Sequence, residues 1–343
     1  MICIVTKCEM ETSQSPRMVL GTAYHLARKL LPEYSCRCSR HDFTLAQLFA
    51  CLVLREFYSL SYRRAEQLLR DSPQWLEEIG LSVAPDHNTL WRAFDSIIQS
   101  KRVNRALDLL AKLFAKARLL QLSTRPLAMD STCFEQRHRS AHYDRRCRQM
   151  RVKAQSLPRS NASKTPVKPG SWGESVNASR RRRLSVMPKL SVAVASGCHL
   201  ILAAKVRNGN GSDAPDFDDL LYQSWKRAPV RVVVADAGYD SEANHRIARE
   251  DMGVRSIISP GIGRPTSKLP SGRWRRHMAR RTKRKADQKH YGQRAQSETA
   301  HSMIKRNMGS ALRSRTPERR KKEMLLRVLT HNIMLACADE TEG

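Results

Sequence analysis

From Thr44 the apolar residues recur at i, i+3 and i+4, the period of an amphipathic helix. The run "FTLAQLFACLVLREFYSLSYRRAEQLLRDSPQWLEEIGL" keeps this spacing, with breaks near Ser59 and Pro73. It resumes in "HNTLWRAFDSIIQSKRVNRALDLLAKLFAKARLL" after Pro85 and Asp86, an aspartate placed to cap the next helix. Residues 44–122 are therefore predicted to be an all-helical domain of four or five helices. Residues 1–43 are weakly patterned and are predicted to be an N-terminal arm with one short helix. The period changes beyond 123. "RPLAMDSTCF" (125–134) is a short β-type run, and "KLSVAVASGCHLILAAKVRNG" (189–209) is predicted to be a hairpin turning at Ser196-Gly197. "DAPDFDDLLYQSWKRA" and "SEANHRIAREDMG" alternate as helices with the strands "VRVVVADAGYDS" (230–241) and "VRSIISP". The first of these strands is apolar without alternation, as in a parallel strand covered on both faces. "YGQRAQSETAHSMIK" (291–305) is predicted to be one helix, and "PERRKKEMLLRVLTHNIMLACA" another.

Three antiparallel strands followed by strand–helix crossovers predict an α/β architecture, a mixed sheet with helices on both faces. This is the layout of the ribonuclease-H-like fold, here spanning 123–338 and preceded by the helical domain. Within it, residues 137–186 form a basic insertion rich in Ser, Pro, Gly and Asn, predicted to be mobile because so little of it can be buried.

Charge narrows the function. The 343 residues contain 62 Lys+Arg against 32 Asp+Glu, a net charge of +30. Such an excess repels itself in a compact fold, and a polyanion is the usual compensation, so nucleic acid is the expected partner. No apolar run approaches the ~20 residues of a spanning helix, and "MICIVTKCEM" lacks signal-peptide architecture, so the chain is expected to be cytoplasmic, with no membrane partner. Nine scattered cysteines argue for reduced thiols rather than a disulfide framework. Cys36, Cys38 and His41 cluster, and Cys3 or Cys8 would have to complete a zinc site; zinc sites favour well-spaced couples, and no convincing second pair exists.

Three acids stand out by placement. Asp130 is predicted to end the first strand of the sheet, Asp236 lies where "VVVAD" runs out, and Glu298 is on a late helix. Ligands of open α/β sheets bind at the C-terminal strand ends. Singly, such residues are more often turn, cap or solvated groups, and Gly238 in "DAGYD" could be there for an unusual backbone angle. Together, in so basic a chain, converging carboxylates imply cations between them, with Mg²⁺ the natural hard ion. Two such ions about 3.5–4 Å apart clamp the oxygens of an in-line phosphoryl displacement.

Glu298 lies one turn after Arg294, with Tyr291 one turn further back and Lys305 seven residues on, along one side of a helix. The spacing Y-x2-R-x3-E-x6-K resembles the signature of insertion-sequence transposases of the DDE class, "MDST" (129–132) resembles their first aspartate block, and "ADAGYDS" (235–241) their second. The resemblance covers about 44–336. It implies a catalytic, metal-binding triad of Asp130, Asp236 and Glu298, with Mg²⁺ as cofactor and Mn²⁺ able to substitute. It implies that Tyr291, Arg294 and Lys305 support DNA. It implies cutting at the element's terminal inverted repeats, then attack of the freed 3′-hydroxyl on target DNA. Synapsis of two ends implies a homodimer or larger assembly on DNA. The Asp236–Glu298 interval is short and basic, without the large β-rich insertion of some relatives.

"APDHNTLWRAF" is predicted to be the groove-facing helix of a helix-turn-helix, with Asn88, Thr89 and Arg92 near its start; the alternative is a bundle for folding or dimerisation. Arg180, Arg181, Arg182, Arg183, Arg275 and Arg276 belong to basic runs expected to meet the DNA backbone, and Trp172 and Trp274 are candidates for base stacking. The other classes compatible with these residues are a ribonuclease-H-like nuclease such as a junction resolvase, and an inactive DNA-binding derivative of a transposase.

Overall fold

The computed structural model describes residues 12–36, 38, 40–137, 187–209, 211–260, 269–281 and 285–337. The predicted insertion, with Trp172 and Arg180 to Arg183, lies outside the described residues, as do Cys3 and Cys8.

The N-terminal part is helical. Helix α1 (Pro16–Arg28) starts at the Ser15 cap and buries Val19, Leu20, Ala23, Leu26 and Ala27 against α2 (Leu45–Phe57) and the last helix. This is the one short helix expected in residues 1–43; its apolar stripe is only about two turns long, yet it packs into the core. Helix α2 opens with a Thr44/Gln47 capping box and is buried at every residue, including Gln47, Arg55 and Glu56. Helices α3 (Tyr62–Arg70), α4 (Pro73–Glu78), α5 (His87–Ile97) and α6 (Ser100–Lys116) follow. Asp86 caps α5 as expected, its carboxylate accepting from Asn88 N at 2.7 Å and Thr89 N at 3.0 Å.

The remainder is a mixed sheet with helices packed on it, the predicted ribonuclease-H-like fold. Strands β1 (Leu127–Cys133), β3 (Lys189–Ala195), β4 (Ile201–Arg207), β5 (Val232–Ala235) and β6 (Arg255–Ile258) lie in the order β4-β3-β1-β5-β6. β1, β3 and β4 pair antiparallel, and β5 pairs parallel with β1 and β6. The two-residue strands β2 (Glu135–Gln136) and β7 (Ala311–Leu312) form a separate pair. The β3–β4 connection is longer than a two-residue turn; it covers 196–200, with Gly197 at φ +96° and His199 at φ +54°. Crossovers are α7 (Phe217–Arg227) and α8 (Glu242–Arg246), which continues into a π turn at Ile247–Asp251. Then come α9 (Arg273–Arg281), α10 (Lys285–Gly292), α11 (Ala295–Met308) and α12 (Pro317–Ala336).

Two expectations change here. Asp130 does not end its strand but sits in the middle of β1, which continues three residues beyond it because β3 goes on pairing through Cys133. The segment 291–305 is not one helix. It breaks at Gln293-Arg294 between α10 and α11, through tight turns in which Arg294 N donates to Tyr291 O and Ser297 N to Arg294 O.

Helix α12 is buried from Glu323 to Ala336 and runs through the shared core of helical domain and sheet. Asn332 stitches it to β4, accepting from Ile201 N at 3.0 Å and donating to Ile201 O at 2.8 Å. His331 beside it is fully buried, and that burial pushes its pKa down to about 4. Nε2 lies 3.1 Å from the His199 carbonyl. The unfolded chain therefore takes up a proton at higher pH than the native one. The stability from a neutral His331 is complete above pH 6.5 and is lost as pH falls toward 4. Urea unfolding at pH 7 and 5 should show a fall that is about 2 kcal/mol smaller in His331→Gln than in the native chain.

Candidate active site

The register of β1 and β5 brings the two aspartates together. Their parallel pairing runs Leu127–Val233, Ala128–Val234 and Met129–Ala235, then stops. Asp130 and Asp236 are the next residues on adjacent strands, whose axes lie about 4.8 Å apart. With a period of two, both leave the sheet on the side of Ala128 and Val234. Those two residues share a small apolar cluster with Ile257 and Met278, against which Tyr291 packs.

Asp236 caps the 3₁₀ turn Ala237–Tyr239, with Tyr239 N bonded to Asp236 O at 3.0 Å. Gly238 is not needed for a left-handed angle. A Cβ there would come within 2.9 Å of the Asp213 carboxylate, which would have to move aside, so the glycine suits a close approach and not a special angle.

Helix α11 packs on β1 and β3 and supplies the third acid. An open cleft of about 430 Å³ is lined by Asp130, Ser131, Thr132, Glu298, His301, Ser302, Lys305 and Arg306. Thr132 is on the same face of β1 as Asp130, and Lys305 Nζ donates to its hydroxyl at 2.6 Å. Burial pushes Asp130 up to about 6. The Ser131 N–H and the Arg294 charge oppose that shift, and the charges of Asp236 and Glu298 add to it. Burial lowers Lys305, whose charge nearby acids partly restore.

Arg294 stands at the start of α11, with Nη1 2.7 Å from Glu298 Oε1. Glu298 is 54% exposed, so this i,i+4 pair contributes only about 0.2–0.5 kcal/mol and does not lock Glu298 away from the cleft. Among the described residues no three His, Cys, Asp or Glu side chains converge closely enough to enclose a metal ion. The donor chemistry nonetheless fits a hard divalent cation: Asp130, which burial holds toward its protonated form, feels the charges of Asp236 and Glu298, so three oxygen donors share one region.

Two models of known families match. One, described as a transposase DDE domain, covers residues 121–333, more than half of the chain and all three acids. The chain belongs to the DDE transposase family. The other, described as a transposase domain, covers residues 13–96 and so includes α1. No curated protein and no solved structure matches the chain.

The other predicted site residues of this transposase fall in different places. Tyr291 is on α10, packed under the sheet, and lines a second cavity with Ile257, Met278 and Asp287. Arg294 bridges the two regions, 6.0 Å over the Tyr291 ring and bonded to Glu298. Lys305 and Glu298 share the cleft. On α5, Asn88 and Arg92 are exposed, but the Thr89 hydroxyl is bonded to Asp86 at 2.7 Å. Trp91 is exposed and covered by Arg319 at 3.8 Å. On α9, Arg276 is exposed, whereas Arg275 makes two bonds to Asp240, at 3.0 and 2.8 Å. Trp274 donates to Glu250 at 2.6 Å. Cys36, Cys38 and His41 belong to no metal-binding group among the described residues, and His41 stacks on Tyr34 at 4.0 Å.

His301 was missed in the sequence. It is buried, which pushes its pKa down to about 4, and it lines the cleft three residues after Glu298. That i+3 spacing was the available signal. No helix among the described residues is long and apolar enough to cross a membrane.

Proposed function

We propose that this transposase cuts DNA at the ends of its own insertion element and joins the 3′-ends to target DNA. What supports the reading is the β1/β5 register, which sets Asp130 beside Asp236, with Glu298 lining the same cleft as Asp130.

Asp130, Asp236 and Glu298 would hold Mg²⁺, with two ions the fitting number and Mn²⁺ able to replace them. Bound there, the metal lowers the pKa of an attacking water or 3′-hydroxyl and neutralises charge on the leaving oxygen. The chain's own groups do the rest. Asp130 and Glu298 would bind the metal as carboxylates, and Arg294, which pairs with Glu298 in the free chain, would then be available to a phosphate. Lys305, held by Thr132 beside the cleft, keeps positive charge next to the scissile backbone. Tyr291 wedges the α10–α11 break against the sheet and so places Arg294. Exposed Arg92 and Asn88 of α5 suit reading of the terminal repeats, and basic residues outside the cleft suit the DNA backbone. The active species is a homodimer or larger on two element ends, in the prokaryotic cytoplasm at the nucleoid. The domain division at about residue 122 assigns end recognition to the helical part and chemistry to the sheet.

The test uses the DNA flanking the coding sequence. Its inverted repeats are synthesised as pre-cleaved ends and incubated with the full chain, Mg²⁺ and a supercoiled plasmid. Ends covalently joined to plasmid support transposition. Branched-junction cutting without any joining would instead assign a resolvase.

A further inference from the structure

Helix α9 has two unlike faces. At about 100° per residue, Trp274, Arg275 and Met278 fall within about 100° of one another and turn inward, while Arg273, Arg276 and Arg280 fall within about 60° on the opposite side. The inward face is fully engaged. Met278 is buried with Ala128 and Val234, each two residues before a catalytic aspartate. Trp274 Nε1 bonds Glu250. Arg275 makes its paired bonds to Asp240, which is 3% exposed and four residues after Asp236. Glu242 caps the helix, accepting from Trp274 N and Arg275 N, both at 3.0 Å. Burial raises its pKa, but backbone N–H donors of Arg273, Trp274 and Arg275 outweigh that and hold it ionised below the usual carboxylate range.

The outward face is different. Arg273, Arg276 and Arg280 are all exposed. Arg273 lies 4.9 Å over the Trp274 ring and Arg276 Nε bonds the Pro270 carbonyl, both neutral partners. Among the described residues none of the three meets a carboxylate. The stripe is about 10 Å long, about three nucleotide steps of one strand of duplex DNA.

We propose that α9 is a phosphate-backbone clamp for duplex DNA: Arg273, Arg276 and Arg280 follow one strand, and Asp240 and Glu242 fix the helix to the loop that carries Asp236. The tether makes the second aspartate and the arginine stripe one rigid unit, so a duplex held on α9 is registered against the acidic cleft. Arg275, although part of the same basic run, is a positioning residue and not a phosphate contact. The inference rests on the transposase reading for its ligand, but it is tested by binding alone.

The full chain is titrated with a random-sequence 30-base-pair duplex, without divalent metal, across a range of salt. Each phosphate contact contributes about 0.9 to the slope of log K against log salt. Arg273→Ala/Arg276→Ala/Arg280→Ala should therefore lower the slope by about 2–3, with the thermal melt unchanged because the three side chains are exposed. An unchanged slope overturns the clamp. So does a variant that loses binding to phosphatidylglycerol vesicles while binding duplex as before. Asp240→Ala isolates the tether. Removing a negative charge from a DNA-binding surface should by itself tighten binding. We expect instead no tighter binding, with faster hydrogen exchange over 273–281. Tighter binding with unchanged exchange overturns the positioning role. Failure of end-joining with the slope effect intact would remove the transposition reading and leave the clamp standing.

Discussion

Asp130→Asn should lower Mg²⁺-dependent cleavage and joining by at least about 10²–10³-fold, the range for removing one electrostatic stabiliser of a transition state, and leave DNA affinity within about twofold. The asparagine keeps the size and the bond from Ser131 N, formed at 2.8 Å in the native chain. It removes the charge that a cation needs. The native group has a second consequence. Its pKa is pushed up to about 6, first by burial, so without metal it holds its proton at lower pH. Metal occupancy at fixed Mg²⁺, and activity with it, should decline as pH falls through 6 and should not follow the lower range of an ordinary aspartate near 3.9. Cleavage gels with wild-type and variant chains on cognate ends, with binding measured in parallel, check both statements. Undiminished Mg²⁺-dependent joining by Asp130→Asn would remove Asp130 from the chemistry.

Arg327→Ala should cost about 3–5 kcal/mol of stability, the range for stripping one partner from a buried charge cluster. Arg327 is 1% exposed. Its Nε bonds Glu56 at 2.8 Å, its Nη1 the Gly309 carbonyl at 2.6 Å, and its Nη2 the Ala311 carbonyl at 3.0 Å and Glu323 at 3.2 Å. Glu56 is also bonded to Arg55 at 3.0 Å, and Glu323 accepts from Arg313 N and Ser314 N. The alanine leaves two carboxylates and two carbonyls under-satisfied in a dry interior. Lysine would not rescue it, because a point charge cannot reproduce four bonds made by a planar fork. Arg327→Met with Glu56→Gln should be less damaging than Arg327→Ala, since the cluster then keeps one cation, Arg55, and one carboxylate, Glu323, with no surplus charge. The urea midpoint of each variant gives the comparison; equal losses for the single and double variants would show that packing, and not charge, dominates. The cluster also joins α2 to α12 and to the entry of β7, and the Arg327 guanidinium lies 5.2 Å over Phe134, whose ring also faces Lys305. A continuous run of contacts therefore reaches from the helical part to the edge of the cleft.

Much of the architecture was legible because it follows from local periodicity. The α2–α6 helices show the helical period, and the short apolar runs of β3 to β6 are marked as strands by length, β-branched content and flanking turns. The Asp86 cap was readable because the cap bond is made within three residues. A short helix before residue 44 was legible, but its docking on α2 and α12 was not, because a stripe of two turns does not say what covers it. The break at Gln293-Arg294 was invisible because every residue from 291 to 305 tolerates a helix; packing of Tyr291 under the sheet and of Ile304 on the core sets two directions for one run. The basic segment after 269 shows the same limit. Composition marks Arg275 and Arg276 alike, and only the fold pairs one with Asp240 and exposes the other.

By itself the sequence determined the family, the fold class, the surplus of positive charge, and which acids were worth placing together, since motif spacing and hydrophobic period are properties of short stretches of chain. The tertiary structure decided which side chains meet. Strand register set Asp130 beside Asp236, and the docking of α11 brought Glu298 and Lys305 alongside β1. Burial among apolar neighbours, a property of the folded whole, decided the protonation of Asp130, His301 and His331, because the cost of desolvating a charge depends on everything packed around it.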